Sequence, residues 1–275
     1  MTAPLLELQG VSKTFASGSL WWRRRVAAVA DVSFALSSAP PEIFTIVGQS
    51  GSGKSTLARM ILGLERATSG RLRLLGEDIA RLRRRSERWR FMGLVQPIFQ
   101  NPFEAFNPLR PLDRYLVLTA RRFGAAPDRV EAERQTAAAL EQVGLSLPEV
   151  AGRYPHELSG GQLQRLAIAR ALLAKPKLIV ADEPVSMVDA SLRMAIVTLF
   201  KALRSELGIS IIYITHDLAT AYVVSDRIII MREGEVVESG NAREVLSAPQ
   251  HPYSRQLKEA VLVPPVVSAA SSDAP

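Results

Sequence analysis

The chain has 275 residues, of which 47% are hydrophobic and 22% charged, with a formal net charge of +7 and no cysteine. A chain of this size buries about 70–75% of its unfolded surface and needs no disulfides or structural zinc. The missing cysteine excludes a disulfide framework, a thiol nucleophile, an iron–sulfur cluster and any Cys-ligated metal.

No window approaches the roughly 18 consecutive apolar residues of a membrane-spanning helix. Residues 1–10 lack a basic segment ahead of an apolar run, so the expectation is a cytosolic chain. Residues 5–11 and 26–36 alternate as strands do, around a polar and basic excursion at 17–25. Residues 43–47 are an apolar run that enters a glycine-rich turn, and 54–64 carry a helical pattern. After a turn at 68–70, a strand-like 71–75 precedes an arginine-rich segment at 81–90. Pro102, Pro108 and Pro111 among aromatics mark 100–111 as an ordered loop, because Pro removes donors and fixes φ. Helical patterns follow at about 112–123, 128–143 and 160–174.

A second apolar run, 178–181, ends in Asp182-Glu183-Pro184 and is followed by a helical 190–207. A third, 209–215, ends in His216-Asp217, and a helical 218–224 leads to a fourth run at 228–231. Short apolar runs alternating with helices predict a parallel sheet covered on both faces. Polar groups gather at the C-terminal strand ends, where open α/β sheets place ligands. The Pro-, Ser- and Ala-rich end of the chain predicts a mobile tail, set at 259–275.

Gly48-Gln49-Ser50-Gly51-Ser52-Gly53-Lys54-Ser55, followed by Thr56, fits G-x-x-x-x-G-K-[ST]. Glycines let successive N–H groups turn inward around a phosphate, and the following helix offers its positive N-terminus to the same anion. Lys54 reaches the β- and γ-phosphates in such a loop, and the Ser55 hydroxyl ligates Mg²⁺. Asp182, at the end of an apolar strand, is the carboxylate that holds this metal through water. Glu183, one residue on, is placed to orient and deprotonate an attacking water. An Asp-Glu pair alone reads as a helix cap, and the phosphate loop in the same chain favours the catalytic reading.

Leu158-Ser159-Gly160-Gly161-Gln162 opens a helical run with amides suited to a second anion site. One nucleotide touching both sites implies two subunits head to tail, each completing the other's site. At this point the chain resembles the ATP-binding subunits of ABC transporters. The L-S-G-G-Q signature lies about 20 residues before the Walker B Asp182. Gln100 matches the Q-loop, Asp189 the D-loop and His216 the switch histidine. The resemblance covers about 5–258. It implies an α/β fold: a RecA-like P-loop NTPase core with a mainly parallel sheet, an antiparallel β subdomain and an α-helical subdomain inserted at about 101–172.

It also implies roles. ATP and Mg²⁺ are the cofactors, with Ser55, Gln100 and Asp182 toward the metal. Gln100 relays nucleotide state to a membrane partner, and His216 holds the γ-phosphate in register with Glu183. Ser159, Gly160, Gly161 and Gln162 face the partner subunit's ATP, and Phe15 occupies the place of the aromatic that stacks on adenine. The implied partners are a second ABC ATPase subunit, as homo- or heterodimer, two transmembrane permeases and an extracytoplasmic substrate-binding protein. The implied location is peripheral, on the cytoplasmic face of the membrane.

Phe99-Gln100-Asn101-Pro102, Phe106-Asn107-Pro108, Arg153-Tyr154-Pro155-His156-Glu157 and His251-Pro252-Tyr253 resemble the dipeptide, oligopeptide and nickel importer branch. The insertion with Trp21-Trp22 resembles that of the second of its paired ATPases. Leu163, Val188, Val185 and Pro40-Pro41-Glu42 depart from the family pattern without removing a catalytic group, and Leu163 and Val188 bear on the subunit contact. The six arginines of 81–90, with Trp89, read as a solvated surface helix near anionic head groups rather than as a nucleic-acid site. Two function classes remain: the energising subunit of a peptide, oligopeptide or nickel importer, and a soluble ABC ATPase that remodels a complex such as a phosphonate-breakdown assembly.

Overall fold

The computed structural model describes residues 4–17, 24–124 and 126–262. Two long strands, β1 (Leu6–Ser17) and β2 (Arg24–Leu36), form an antiparallel pair, and β3 (Ile43–Val47) runs into the glycine-rich loop and α1 (Lys54–Ile61). The predicted helix 54–64 ends early, because Leu62 caps it and Gly63 takes a φ of +67°. β4 (Ser69–Leu74) and the two-residue β5 (Glu77–Asp78) complete a four-stranded antiparallel sheet of order β2-β1-β4-β5.

The arginine-rich segment splits into a 3₁₀ turn (Ile79–Arg81) and α2 (Arg85–Leu94). Part of its charge is engaged locally: Arg90 grips Glu77 at 2.5 Å and Arg81 lies 3.6 Å from Asp78, while the Glu87 carboxylate accepts the backbone N–H groups of Arg83 and Arg84 ahead of the helix. Trp89 leaves the charged face and packs on Phe123, centroids 5.2 Å apart.

β6 (Val95–Ile98) precedes the proline-rich loop, and the helical layer follows as α3 (Leu112–Phe123), α4 (Arg129–Gln142), α5 (Leu147–Val150) and α6 (Gly160–Leu172). The chain returns through β7 (Leu178–Asp182), α7 (Ala190–Leu207), β8 (Ser210–Thr215), α8 (Leu218–Val224), β9 (Arg227–Arg232), β10 (Glu235–Asn241), α9 (Ala242–Ser247) and α10 (Pro252–Leu262). The second sheet has the order β10-β9-β3-β8-β7-β6 and is parallel except for the β9–β10 hairpin.

Alternation along the buried strands divides the core, since successive side chains leave a strand on opposite faces. Phe44, Ile46, Val180, Ile212 and Ile214 pack with α1 and the antiparallel sheet. Ile43, Ile179, Ala181, Ile211 and Tyr213 pack with α6, α7 and the helical layer. Burial on both faces is why these strands read as unbroken apolar runs.

Six elements were not predicted: β5, β6, α5, β10, α9 and α10. Pro97 sits inside β6 and masks it, and the strand tolerates proline because it is the sheet's edge. α10 continues through Leu262, which corrects the predicted tail boundary at 259. The rest of that tail and Trp21-Trp22 lie outside the described residues. Among the described residues, no helix is long and apolar enough to cross a membrane.

Candidate functional site

The loop between β3 and α1 is shaped by what surrounds it. A Cβ on Gly53 would stand 2.2 Å from the Ala28 carbonyl oxygen of β2, and one on Gly48 would stand 2.3 Å from that of Met231. Gly51 and Gly53 also hold φ values of +82° and +100°, which side chains resist. The β9–β10 turn, Glu233-Gly234, closes the far wall: Gly234 donates its N–H to the Ser52 carbonyl at 3.1 Å and accepts from Ala30 at 2.9 Å. Positive φ at both turn residues suits a two-residue hairpin. Neither Ala28 nor Gly234 was predicted, because nothing local marks a backbone contact across three elements.

Lys54 is buried under this loop, and its ammonium donates to the carbonyls of Gly48 at 2.7 Å and Gln49 at 2.9 Å. Burial lowers its pKa, and the nearby Glu183 and Asp182 charges oppose that shift. Ser52 Oγ is buried without a hydrogen-bond partner among the described residues. The α1 N-terminus has no side-chain cap. A cradle that no Cβ can enter, an orphaned hydroxyl, an ammonium and free helix-terminal N–H groups fit a polyphosphate.

Ser55 Oγ donates to Asp182 Oδ1 at 3.4 Å, joining the two predicted metal ligands across the sheet. Burial raises the Asp182 pKa, opposed chiefly by the Ser55 hydrogen bond. A divalent cation would restore its charge. Among the described residues, no cluster of three or more His, Cys, Asp or Glu could hold a metal. One carboxylate and one hydroxyl suit Mg²⁺, which keeps water and substrate phosphates as its other ligands.

Glu183 stands beside this pair at a φ of +45°, unusual for a residue with a side chain. Its N–H is tied to the Ile214 carbonyl at 2.9 Å, and its own carbonyl accepts from Ser186 Oγ at 2.9 Å. Ser186 therefore fixes the turn that aims the carboxylate, a role the sequence did not reveal. Gln100 Nε2 donates to one carboxylate oxygen at 3.2 Å, and His216 Nδ1 lies 3.1 Å from the other. Three predicted residues separated by up to 116 positions thus meet at one carboxylate. Asp217 holds the next turn by capping α8 through Ala219 N–H at 2.9 Å.

The signature lies apart. Ser159 caps α6, its Oγ accepting the Gln162 N–H at 3.2 Å while Gln162 Oε1 accepts the Ser159 N–H at 3.0 Å. Among the described residues no hydrogen bond joins 159–162 to 48–56. A Cβ on Gly161 would meet Leu192 at 2.7 Å, so the signature backs onto the start of α7, whose N-cap is Asp189. Leu163 and Val188 are buried in the core between α6 and α7 and present no surface to a partner. Ser159→Ala removes one half of the capping box and should cost about 1 kcal/mol of stability, read as a lowered midpoint in denaturant. Phe15 lies exposed on β1, with the Lys13 ammonium 4.8 Å from its ring centroid.

A phosphate loop, the Ser55–Asp182 pair, a carboxylate held between Gln100 and His216, and a detached signature together define a P-loop NTPase of the ATP-binding cassette class. A family model described as ABC transporter matches residues 29–186. The oligopeptide transport ATP-binding protein OppF of Escherichia coli is 43% identical over 224 residues, covering 81% of this chain and 66% of the relative. A peptide import ATP-binding protein of Brucella ovis is 38% identical over 263 residues, 95% of this chain and 80% of the relative. A solved ATP-binding cassette dimer bound to ADP and Pi superposes with a TM-score of 0.76 at 29% identity, covering 86% of this chain and 99% of that one. The chain spans just under two thirds of the length of the E. coli protein.

The chain belongs to the ABC transporter family, in the branch of the oligopeptide importers' ATP-binding subunits.

Proposed function

We propose that this chain binds and hydrolyses ATP to energise import of peptides or related small solutes, as one of two ATPase subunits beneath two permeases. The observation that carries the hydrolytic part is Glu183 held between Gln100 and His216 beside the Ser55–Asp182 pair. Glu183 orients the attacking water and takes its proton, while Gln100 and His216 fix the carboxylate. Lys54 compensates the charge of the phosphates. Mg²⁺, on Ser55 and Asp182 with Gln100 near, would supply charge neutralisation at the phosphate oxygens.

The signature supports the dimer. Ser159 Oγ uses one lone pair on the cap and keeps its proton for a partner's γ-phosphate, with the Gly160 and Gly161 amides beside it. Phe15, exposed on β1, is assigned to adenine. A cavity of about 680 Å³ lined by Trp89, Phe99, Leu118 and Phe123 reaches the residue that precedes Gln100 and offers an apolar seat for a permease. The solute class rests on the peptide-import names of the relatives, and these favour transport over a soluble remodelling role.

The test is reconstitution with two permeases and a binding protein of the oligopeptide-importer type. ATP- and Mg²⁺-dependent uptake of a labelled peptide into vesicles, abolished by EDTA, is the expected result. Co-purification with soluble enzyme subunits in place of permeases overturns the transport reading.

A further inference from the structure

The C-terminal helix reaches the phosphate loop through one side chain. Tyr253, the second residue of α10, is 5% exposed, and its hydroxyl accepts the Gln49 N–H at 3.2 Å. Its ring lies against the Arg232 guanidinium, 5.1 Å from the centroid. The turn that aims it inward is pinned at two points. Glu238 of β10 accepts the N–H groups of Gln250 at 2.8 Å and His251 at 3.2 Å, and His251 Nδ1 accepts that of Tyr253 at 3.2 Å. Tyr253 also shares a buried cluster with Val47, the last residue before the loop, and Leu218, which opens the helix after His216.

The backbone of Gln49 is therefore gripped on both sides. Its carbonyl accepts from Lys54 Nζ at 2.9 Å and from the Ser52 N–H at 3.2 Å, and its N–H is held by Tyr253. An ammonium that turns toward phosphates gives up the Gln49 carbonyl, whereas the tyrosine hydrogen bond makes no such demand. We propose that Tyr253 is a positioning residue for the nucleotide: it holds the first turn of the phosphate loop in its binding shape and makes ATP affinity depend on the seating of α10. The inference rests on the ATP-binding reading above.

The test uses the full chain, titrated with mant-ATP with and without Mg²⁺, alongside hydrolysis kinetics and thermal unfolding. Tyr253→Phe keeps the ring and loses one neutral hydrogen bond, so Kd and KM should rise about 3- to 10-fold. Because that contact serves ground and transition states alike, kcat should change less than about 2-fold. The unfolding midpoint should stay near wild type. Arg232→Ala, which spares the hydroxyl, should shift Kd less than Tyr253→Phe does. Tyr253→Phe binding mant-ATP as wild type does, or losing affinity only in step with its folded fraction, overturns the proposal. A wild-type chain that binds no mant-ATP overturns the nucleotide reading itself, and this inference with it.

Discussion

Glu183→Gln leaves ATP bound while its hydrolysis slows by about 10²- to 10⁴-fold, the range that a positioned general base supplies. The substitution preserves the size of the side chain and removes the one carboxylate that can accept the water's proton. Glu183 stands at a φ of +45°, with its N–H on Ile214, its carbonyl on Ser186 and its two carboxylate oxygens toward Gln100 and His216. Such a conformation persists only where the surroundings over-determine it, and the backbone ties do not involve the carboxylate. Glutamine therefore inherits the same placement, and the loss is chemical rather than structural. Phosphate release under steady state, set beside equilibrium binding of ATP, reads the two effects separately. Near-normal turnover would remove the role given to Glu183. His216→Ala should cost less, because Gln100 and the turn still hold the carboxylate.

Much of this site is legible along the chain because each group follows an apolar run. The run 43–47 delivers the phosphate loop, 178–182 delivers Asp182 and Glu183, and 210–215 delivers His216, and parallel strands of one sheet bring their C-terminal ends together. Gln100 is legible from its motif, whereas the strand that carries it is hidden by Pro97. What escaped is what touches through backbone. Ala28 and Gly234 wall the loop by carbonyl and amide contacts that any residue type could make at Ala28. Tyr253 lies 204 residues from the peptide it holds, and its short motif carries no periodicity to point inward. Leu163 and Val188 bear on the subunit contact in the sequence, but in three dimensions they fill the core behind the signature.

Lys54→Ala empties the site instead of stalling it: ATP affinity should fall about 10²-fold or more, and turnover with it, whereas the fold survives. The reasoning starts from the cost of keeping an ammonium buried. Burial lowers the Lys54 pKa, and the Glu183 and Asp182 charges recover part of that penalty. Two carbonyl contacts, at 2.7 and 2.9 Å, satisfy the donors meanwhile. Removing the side chain relieves the desolvation and frees two carbonyls, effects of opposite sign, so the unfolding free energy should move by no more than about 1 kcal/mol. Nothing replaces the positive charge opposite the phosphates, and losing one partner of a buried, charge-assisted contact costs about 2–5 kcal/mol, or roughly 30- to 5,000-fold in affinity, a range whose middle lies above 10²-fold. Lys54→Arg should fail too, since a planar guanidinium needs more width than a point charge enclosed by the loop carbonyls. Nucleotide titration with unfolding curves of the same samples decides the matter. Retained affinity in Lys54→Ala would show that the loop N–H groups alone bind the phosphates, and a collapsed midpoint would make Lys54 a structural brace. The contrast with Glu183→Gln is the sharper check, because one variant must hold ATP without cleaving it and the other must hold it far more weakly than wild type.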